Sequence, residues 1–197
     1  MRLTTSSILP LLQGMLNSSN QHQAVICFAD AGVSPDAALR DAGLGIFLIF
    51  TGQESSGSLH IKVKARASSV LMAELAALLV AAKVIKNLQI KNVVIATDSS
   101  EAVQQLHASQ DDIFWRFRLL ITNFKQTQEG SCFQVVKIDR KHNDVAHRLA
   151  SQAKSGCSQN SVVLPCYNRH HQSSCAALSA FENVIILTSP VYTVLDI

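Results

Sequence analysis

No stretch of this chain is apolar for the roughly 20 consecutive residues that a membrane-spanning helix requires, so a membrane-spanning helix is excluded. Acidic residues are missing from everything before Asp30, and Arg2 is the only Lys or Arg in that opening stretch. Its Ser, Thr and Asn content weakly resembles an organelle transit peptide, but the basic charge of such leaders is lacking. A variable or disordered N-terminus over 1–22 is therefore expected. No C-x-x-C pair occurs among the five cysteines, Cys27, Cys132, Cys157, Cys166 and Cys175. The last three, with His170 and His171 between the final two, thus lack the close pairing of a zinc site. An odd cysteine count without a clear secretion signal points to an intracellular, reducing compartment. From Ser155 to Ala180 there is again no acid, and Arg169 is the only Lys or Arg. That stretch is rich in Ser, Gln and Asn, so 155–197 is expected to be a disordered tail. The short apolar run Val184 to Leu187 is either one more strand or merely sticky.

What remains is typical of a soluble globular protein, with 48% hydrophobic residues, 16% charged and a mean hydropathy of +0.20. At 197 residues there is room for one ordinary domain plus tails. Residues 23–154 carry 15 Lys and Arg against 12 Asp and Glu, a balance of +3 equal to that of the whole chain. If several of those acids are held by metal, the remaining surface is more basic than the total, which suits a polyanionic partner.

Regular structure is signalled throughout this middle region. Ala24 to Ala29 (AVICFA) is a β-type apolar run ending at Asp30, with Ala31-Gly32 reading as a turn, and Gly45 to Thr51 (GIFLIFT) is a second strand. Ser58 to Ala67 alternates Leu59, Ile61, Val63 and Ala65 with His60, Lys62, Lys64 and Arg66, the pattern of a strand with one buried and one solvated face. Ser68-Ser69 can cap a helix running to about Asn87, whose core is apolar almost all round and so buried on most sides. Asn92 to Thr97 is a buried-type strand ending at Asp98, and Ser99-Ser100-Glu101 can open a helix to about Ser109. Asp111 to about Gln126 reads as a helix, Phe133 to Ile138 as a fifth strand, and Asn143 to Lys154 as a last helix. Cys27 and Cys132 fall inside strand-like runs and read as small buried thiols. The order βββαβααβα predicts an α/β fold: an antiparallel first half, later strands joined by helical crossovers, and helices on both faces of a mixed sheet.

Three acids stand where apolar residues are expected. Glu74 shares a helix face with Leu71 and Leu78, and a carboxylate buried there costs several kcal/mol unless it is paired or metal-bound. Arg66 or a sheet-edge lysine is the ordinary partner to weigh against a metal. Asp30 and Asp98 each follow an apolar run on the same strand face, where sheets open toward ligands. Taken singly, Asp30 reads equally as a turn residue and Asp98 as a helix cap. Together, three like charges repel and raise one another's pKa, so a shared site calls for a divalent cation. Two Mg²⁺ or Mn²⁺ ions about 3.5–4 Å apart suit phosphodiester hydrolysis.

The strings FADAGVS…AGLGIFL, AELAALLVAAKVIKNLQIKNVVIATDS and VVKIDRKHNDVAHRLASQA resemble the ribonuclease-H-like domain of plant reverse-transcriptase-related, retroelement-derived proteins, within the type-1 ribonuclease H superfamily. The A-E-x-x-A helix, the strand ending T-D-S and the final R-x-x-N-x-x-A-H-x-L-A carry that resemblance, which spans residues 23–154. It implies a ribonuclease-H-like five-stranded mixed sheet in the order 3-2-1-4-5, flanked by helices. It also places Asp30, Glu74 and Asp98 on the family's metal-binding carboxylates. Two departures stand out. His147 occupies the position of a fourth carboxylate, where neutral imidazole is a poor Mg²⁺ ligand. The mobile loop that usually supplies a histidine is shortened to Asp139-Arg140-Lys141-His142, with His142 a candidate substitute or simply a solvated residue.

By that resemblance the expected activity is metal-dependent endonucleolytic hydrolysis of the RNA strand of an RNA–DNA hybrid. Asp30, Glu74, Asp98 and His147 are then the catalytic set. The alternative is a catalytically weak or inactive retroelement-derived domain that binds nucleic acid. Arg140, Lys141 and Arg148 are the candidate phosphate contacts. Lys62, Lys64 and Arg66 suit either a phosphate track or charges that discourage edge aggregation. Trp115 with Arg116 and Arg118 suits either a basic-aromatic handle or a packing role. RNA would be recognised through 2′-hydroxyls rather than base edges. No membrane partner and a monomeric state are expected.

Overall fold

A computed structural model describes residues 24–34, 40–51, 57–109, 111–131, 133–155 and 161–163. The expected N-terminal segment 1–22, Cys132, Val184 to Leu187 and nearly all of the expected tail lie outside the described residues. Strand β1 (Ala24–Val33) pairs antiparallel with β2 (Arg40–Thr51), which pairs antiparallel with β3 (Gly57–Ala67). Helix α1 (Val70–Asn87) crosses to β4 (Asn92–Thr97), which lies parallel to β1. Helices α2 (Ser100–His107) and α3 (Arg118–Gln128) lead to β5 (Phe133–Lys137), parallel to β4, and α4 (Asp144–Ser155) follows. The five strands stand in the order 3-2-1-4-5. A short β6 (Ser161–Val163) adds a sixth strand by pairing with β3, within the stretch expected to be disordered. No helix among the described residues is long and apolar enough to cross a membrane.

Two apolar layers sandwich the sheet. On one side, Val25, Cys27 and Ala29 of β1 and the alternating Leu59, Ile61, Val63 and Ala65 of β3 face α1. Helix α1 is buried continuously from Ala73 to Ala82, because the sheet lies beneath it and α3 outside it. Ser69 caps it as expected, accepting a hydrogen bond from the Met72 amide at 3.1 Å. On the other side, Ile26, Phe28, Phe47, Val94 and Ala96 meet Ala146 and Leu149 of α4.

Close contact between α4 and β2 depends on two glycines. A Cβ at Gly43 would overlap the backbone of Ala150 and Lys154, and one at Gly45 would overlap that of Ala146 and Ala150. Their missing side chains let the helix lie directly on the strand. Gly45 pairs with Asp30, so the same contact brings the first turn of α4 over that acid.

Three boundaries differ from the sequence reading. Strand β1 does not end at Asp30, since its pairing with β2 continues to Val33↔Ala42 and Ala31-Gly32 is not a turn. Strand β2 begins at Arg40 for the same reason. The helix expected from Asp111 starts only at Arg118, after a 3-10 turn over Trp115–Phe117.

Candidate active site

The site forms where one strand stops and its neighbour continues. β1 pairs with β4 only as far as Phe28↔Ala96, whereas its pairing with β2 runs on past Asp30. Extended by two residues, the β1–β4 register sets Asp30 beside Asp98. Asp98 is not the cap of α2; Ser99 takes that role, accepting from the Ala102 amide at 3.2 Å, and Asp98 is left free to face the gap. The carboxyl groups of Asp30 and Asp98 lie within hydrogen-bonding reach of each other.

Glu74 approaches from the α1 side. It is 8% exposed, it feels the charges of both Asp30 and Asp98, and the Ala31 backbone amide favours its ionised form. That amide lies beyond the β1–β4 ladder, which ends at Phe28↔Ala96. The Oε2 atom of Glu74 is buried with no hydrogen-bond partner among the described residues. Arg66 is exposed and makes no ion pair with it; the cation that Glu74 does feel is Arg140.

The start of α4 closes the other side. His147 Nδ1 is 2.9 Å from Asp30 Oδ2, and Arg140 Nη2 is 3.4 Å from His147 Nε2. Asn143, fully buried, donates from Nδ2 to Asp98 Oδ1 at 2.8 Å and to the Ala29 carbonyl at 3.1 Å. Asn143 was visible in the sequence only as a motif position and the start of a helix. The spacing of Arg140, Asn143 and His147 in R-x-x-N-x-x-A-H was the one signal that could have singled it out.

Burial sets the electrostatics. Desolvation raises the Asp30 carboxyl from 3.8 to about 7; the His147 hydrogen bond opposes the rise and the Asp98 charge adds to it. Desolvation likewise raises Glu74 from 4.5 to about 9, and the charges of Asp30 and Asp98 push the same way. Two carboxyls raised by burial, with the Asp98 carboxylate beside them, are hard oxygen donors of the kind that suits a divalent cation. Asp30 and Asp98 are the close pair, with Glu74 set back in their field. Among the described residues, no three His, Cys, Asp or Glu side chains are placed to hold one metal ion.

The candidate phosphate contacts separate on inspection. Arg140 alone reaches the acidic site. Lys141 is 3.5 Å from Asp139, which Lys137 also approaches at 3.7 Å, and Arg148 is 3.5 Å from Asp144 one turn earlier. His142 is half-buried in the 3-10 turn over Arg140–His142. Lys62 and Lys64 lie half-buried on β3, with Lys64 paired to Asp41 at 3.4 Å, and β6 covers that strand's edge. Trp115 does not pack inside as the packing alternative required. It is 67% exposed, with the Arg116 guanidinium 5.2 Å from its ring centroid.

The profile of a family described as reverse transcriptase-like matches residues 39–153. The chain belongs to the reverse transcriptase-like family. Solved structures place this reverse transcriptase-like chain in the ribonuclease-H-like fold. LC9-RNase H1, a type 1 RNase H with the type 2 active-site motif, is 16% identical with a TM-score of 0.61, over 81% of this chain and 85% of that one. The N-terminal RNase H domain of rv2228c from Mycobacterium tuberculosis is 19% identical with a TM-score of 0.56, over 66% and 98%. The foamy viral protease-reverse transcriptase in complex with RNA/DNA hybrid is 14% identical with a TM-score of 0.52, over 68% of this chain and 20% of that one. At these identities the likeness is one of fold. No curated protein matches the chain.

Proposed function

We propose that this reverse transcriptase-like domain is a divalent-metal-dependent endonuclease that hydrolyses the RNA strand of RNA–DNA hybrids. The observation that carries the reading is the gap at the end of β4, where Asp30 and Asp98 come within hydrogen-bonding reach and Glu74 presents an unpartnered buried oxygen. The fold is shared with RNase H structures, and the foamy viral relative was solved with an RNA/DNA hybrid.

Asp30 and Asp98 would be the first donors to Mg²⁺ or Mn²⁺, two ions in the full assembly, and Glu74 would have to draw in from its set-back position to join them. Bound there, the cations supply activation of a water nucleophile and stabilisation of the leaving oxygen. The chain's own part is to orient the donors and keep bulk water from one flank. His147 fixes one oxygen of Asp30, and Asn143 fixes one oxygen of Asp98. Arg140, beside the acids, contacts a backbone phosphate, with Lys141 and Arg148 further out on the same segment.

A second reading, nucleic-acid binding without turnover, draws on a specific contact. His147 stands where a fourth carboxylate is expected and occupies an Asp30 oxygen that would otherwise face a cation. A labelled RNA–DNA hybrid incubated with the protein and Mn²⁺ separates the two. Cleavage that falls at least about 100-fold in Asp98→Asn supports the nuclease. Salt-sensitive binding with no product, or equal product from the variant, removes it.

A further inference from the structure

Asn143 immediately precedes α4, and its backbone carbonyl accepts the first helical hydrogen bond, from the His147 amide at 2.9 Å. An asparagine in that position ordinarily turns its side-chain oxygen onto the free amides of the first turn. Here it does not: Oδ1 is buried and has no partner among the described residues. The amide end points the other way, into the sheet. Two acceptors, Asp98 Oδ1 and the Ala29 carbonyl, both face Nδ2, so the orientation of the amide is fixed by chemistry. The side chain has given up a capping bond that would steady the helix, in favour of contacts with two different strands.

Those two contacts link the parts of the site that the sheet leaves apart. β1 and β4 share no ladder bond beyond Phe28↔Ala96. Asn143 spans them past that point, tying the backbone of β1 at Ala29 to the side chain of Asp98, and it anchors the helix that carries His147. We infer that Asn143 is a positioning residue, which aims the Asp98 carboxylate at Asp30 and holds the start of α4 in register with both. This inference rests on the metal-dependent reading of the site. With Asn143 on Asp98 Oδ1 and His147 on Asp30 Oδ2, each aspartate has one oxygen committed to a donor and one left for a ligand.

The test uses the full chain and the variant Asn143→Ser. Serine still caps a helix well but is too short to reach Asp98 from this position. Expected results are a folded protein, Mn²⁺ binding weakened roughly 10- to 100-fold by the free-ion paramagnetic resonance signal, and a fall in kcat with KM for the hybrid unchanged. Mn²⁺ affinity and kcat equal to wild type would overturn the inference. A second measurement needs neither a stable variant at Asn143 nor any turnover. In the metal-free protein, the two Asn143 Nδ2 protons are expected to resonate downfield and exchange slowly. Asp98→Ala should move one of them and spare the one bonded to Ala29. If both stay unmoved, the inference fails. If the wild type cleaves nothing, the nuclease reading falls while these amide resonances still decide the positioning role.

Discussion

Glu74 concentrates the energetic tension of the site in a single side chain. Its carboxyl is raised to about 9 by burial and by two neighbouring acids, and Asp30 is raised to about 7. Both values exceed those of the unfolded chain, 4.5 and 3.8, so the native state binds more protons than the unfolded state in between. The stability these groups contribute is complete below about pH 4, and it is lost as pH rises through about 7 and then about 9. The metal-free protein should therefore lose melting temperature from pH 5 to pH 9. Glu74→Gln removes one of the two ionisations. At pH 9 it should exceed wild type by at least about 1 kcal/mol, roughly 2–4 °C for a chain of this size. At pH 5 the two should agree within about 0.5 kcal/mol. On the metal-dependent reading, saturating Mn²⁺ at pH 8 should recover wild type far more than the variant, because a cation held by the native, ionised site would stabilise only the folded state. Identical pH slopes for the two proteins in thermal melts would refute this account. Glu74, Asp30 and Asp98 were legible beforehand because each interrupts an apolar pattern. Asn143 was not, since an asparagine ahead of a helix reads as an ordinary cap.

The elements were legible to the extent that their periodicity was unbroken. The strict alternation of β3 and the all-round apolar surface of α1 fixed both their type and their span. β1 was read too short, because Ala31-Gly32 has the composition of a turn. Pairing with Leu44 and Gly43 keeps it extended, and nothing in the residues around Ala31-Gly32 announces that pairing. The seating of α4 was equally hidden, since nothing local to Gly43 or Gly45 says that a helix will lie on them. Gly45→Ala puts a methyl group into the backbone of Ala146 and Ala150, neither of which can move aside as a flexible side chain would. The expected loss is about 1–3 kcal/mol in urea denaturation, and on the nuclease reading hybrid cleavage should fall too, as His147 and Asn143 lift from their aspartates. Gly32→Ala is the matched control. Its added Cβ comes no closer than 3.9 Å to any neighbour, so its stability should stay within about 0.5 kcal/mol of wild type. Equal losses at the two positions would show that strand glycine flexibility, rather than helix seating, is at stake.

At the scale of the whole molecule, the fold class followed from element order alone, and β6 did not. Three residues borrowed from a polar stretch pair with β3 because that strand would otherwise have an open edge, a property of the assembled sheet. Charge distribution is another property of the assembly. The formal balance of +3 is too small to indicate a polyanionic partner by itself. The structure sets Arg140 beside a cluster of acids that a cation would neutralise, and keeps Lys141 and Arg148 against acids of their own. A hybrid bound through all three would release counterions from about three phosphates, giving a slope of log K against log salt of about −2.7. Replacing one true contact with alanine should lower the slope by about 0.9. Arg140→Ala is expected to show that full change. Among the described residues its guanidinium has no ion pair within salt-bridge distance to break on reaching a phosphate, only a long contact to His147 and the field of Glu74. Lys141→Ala and Arg148→Ala should show less, since each residue must first abandon an ion pair. Fluorescence anisotropy of a labelled hybrid across 50–200 mM salt, with Ca²⁺ in place of Mn²⁺ to hold turnover low, reads all four slopes. An unchanged slope for Arg140→Ala would move the nucleic-acid track away from the start of α4, toward another basic surface such as the exposed Trp115 with Arg116.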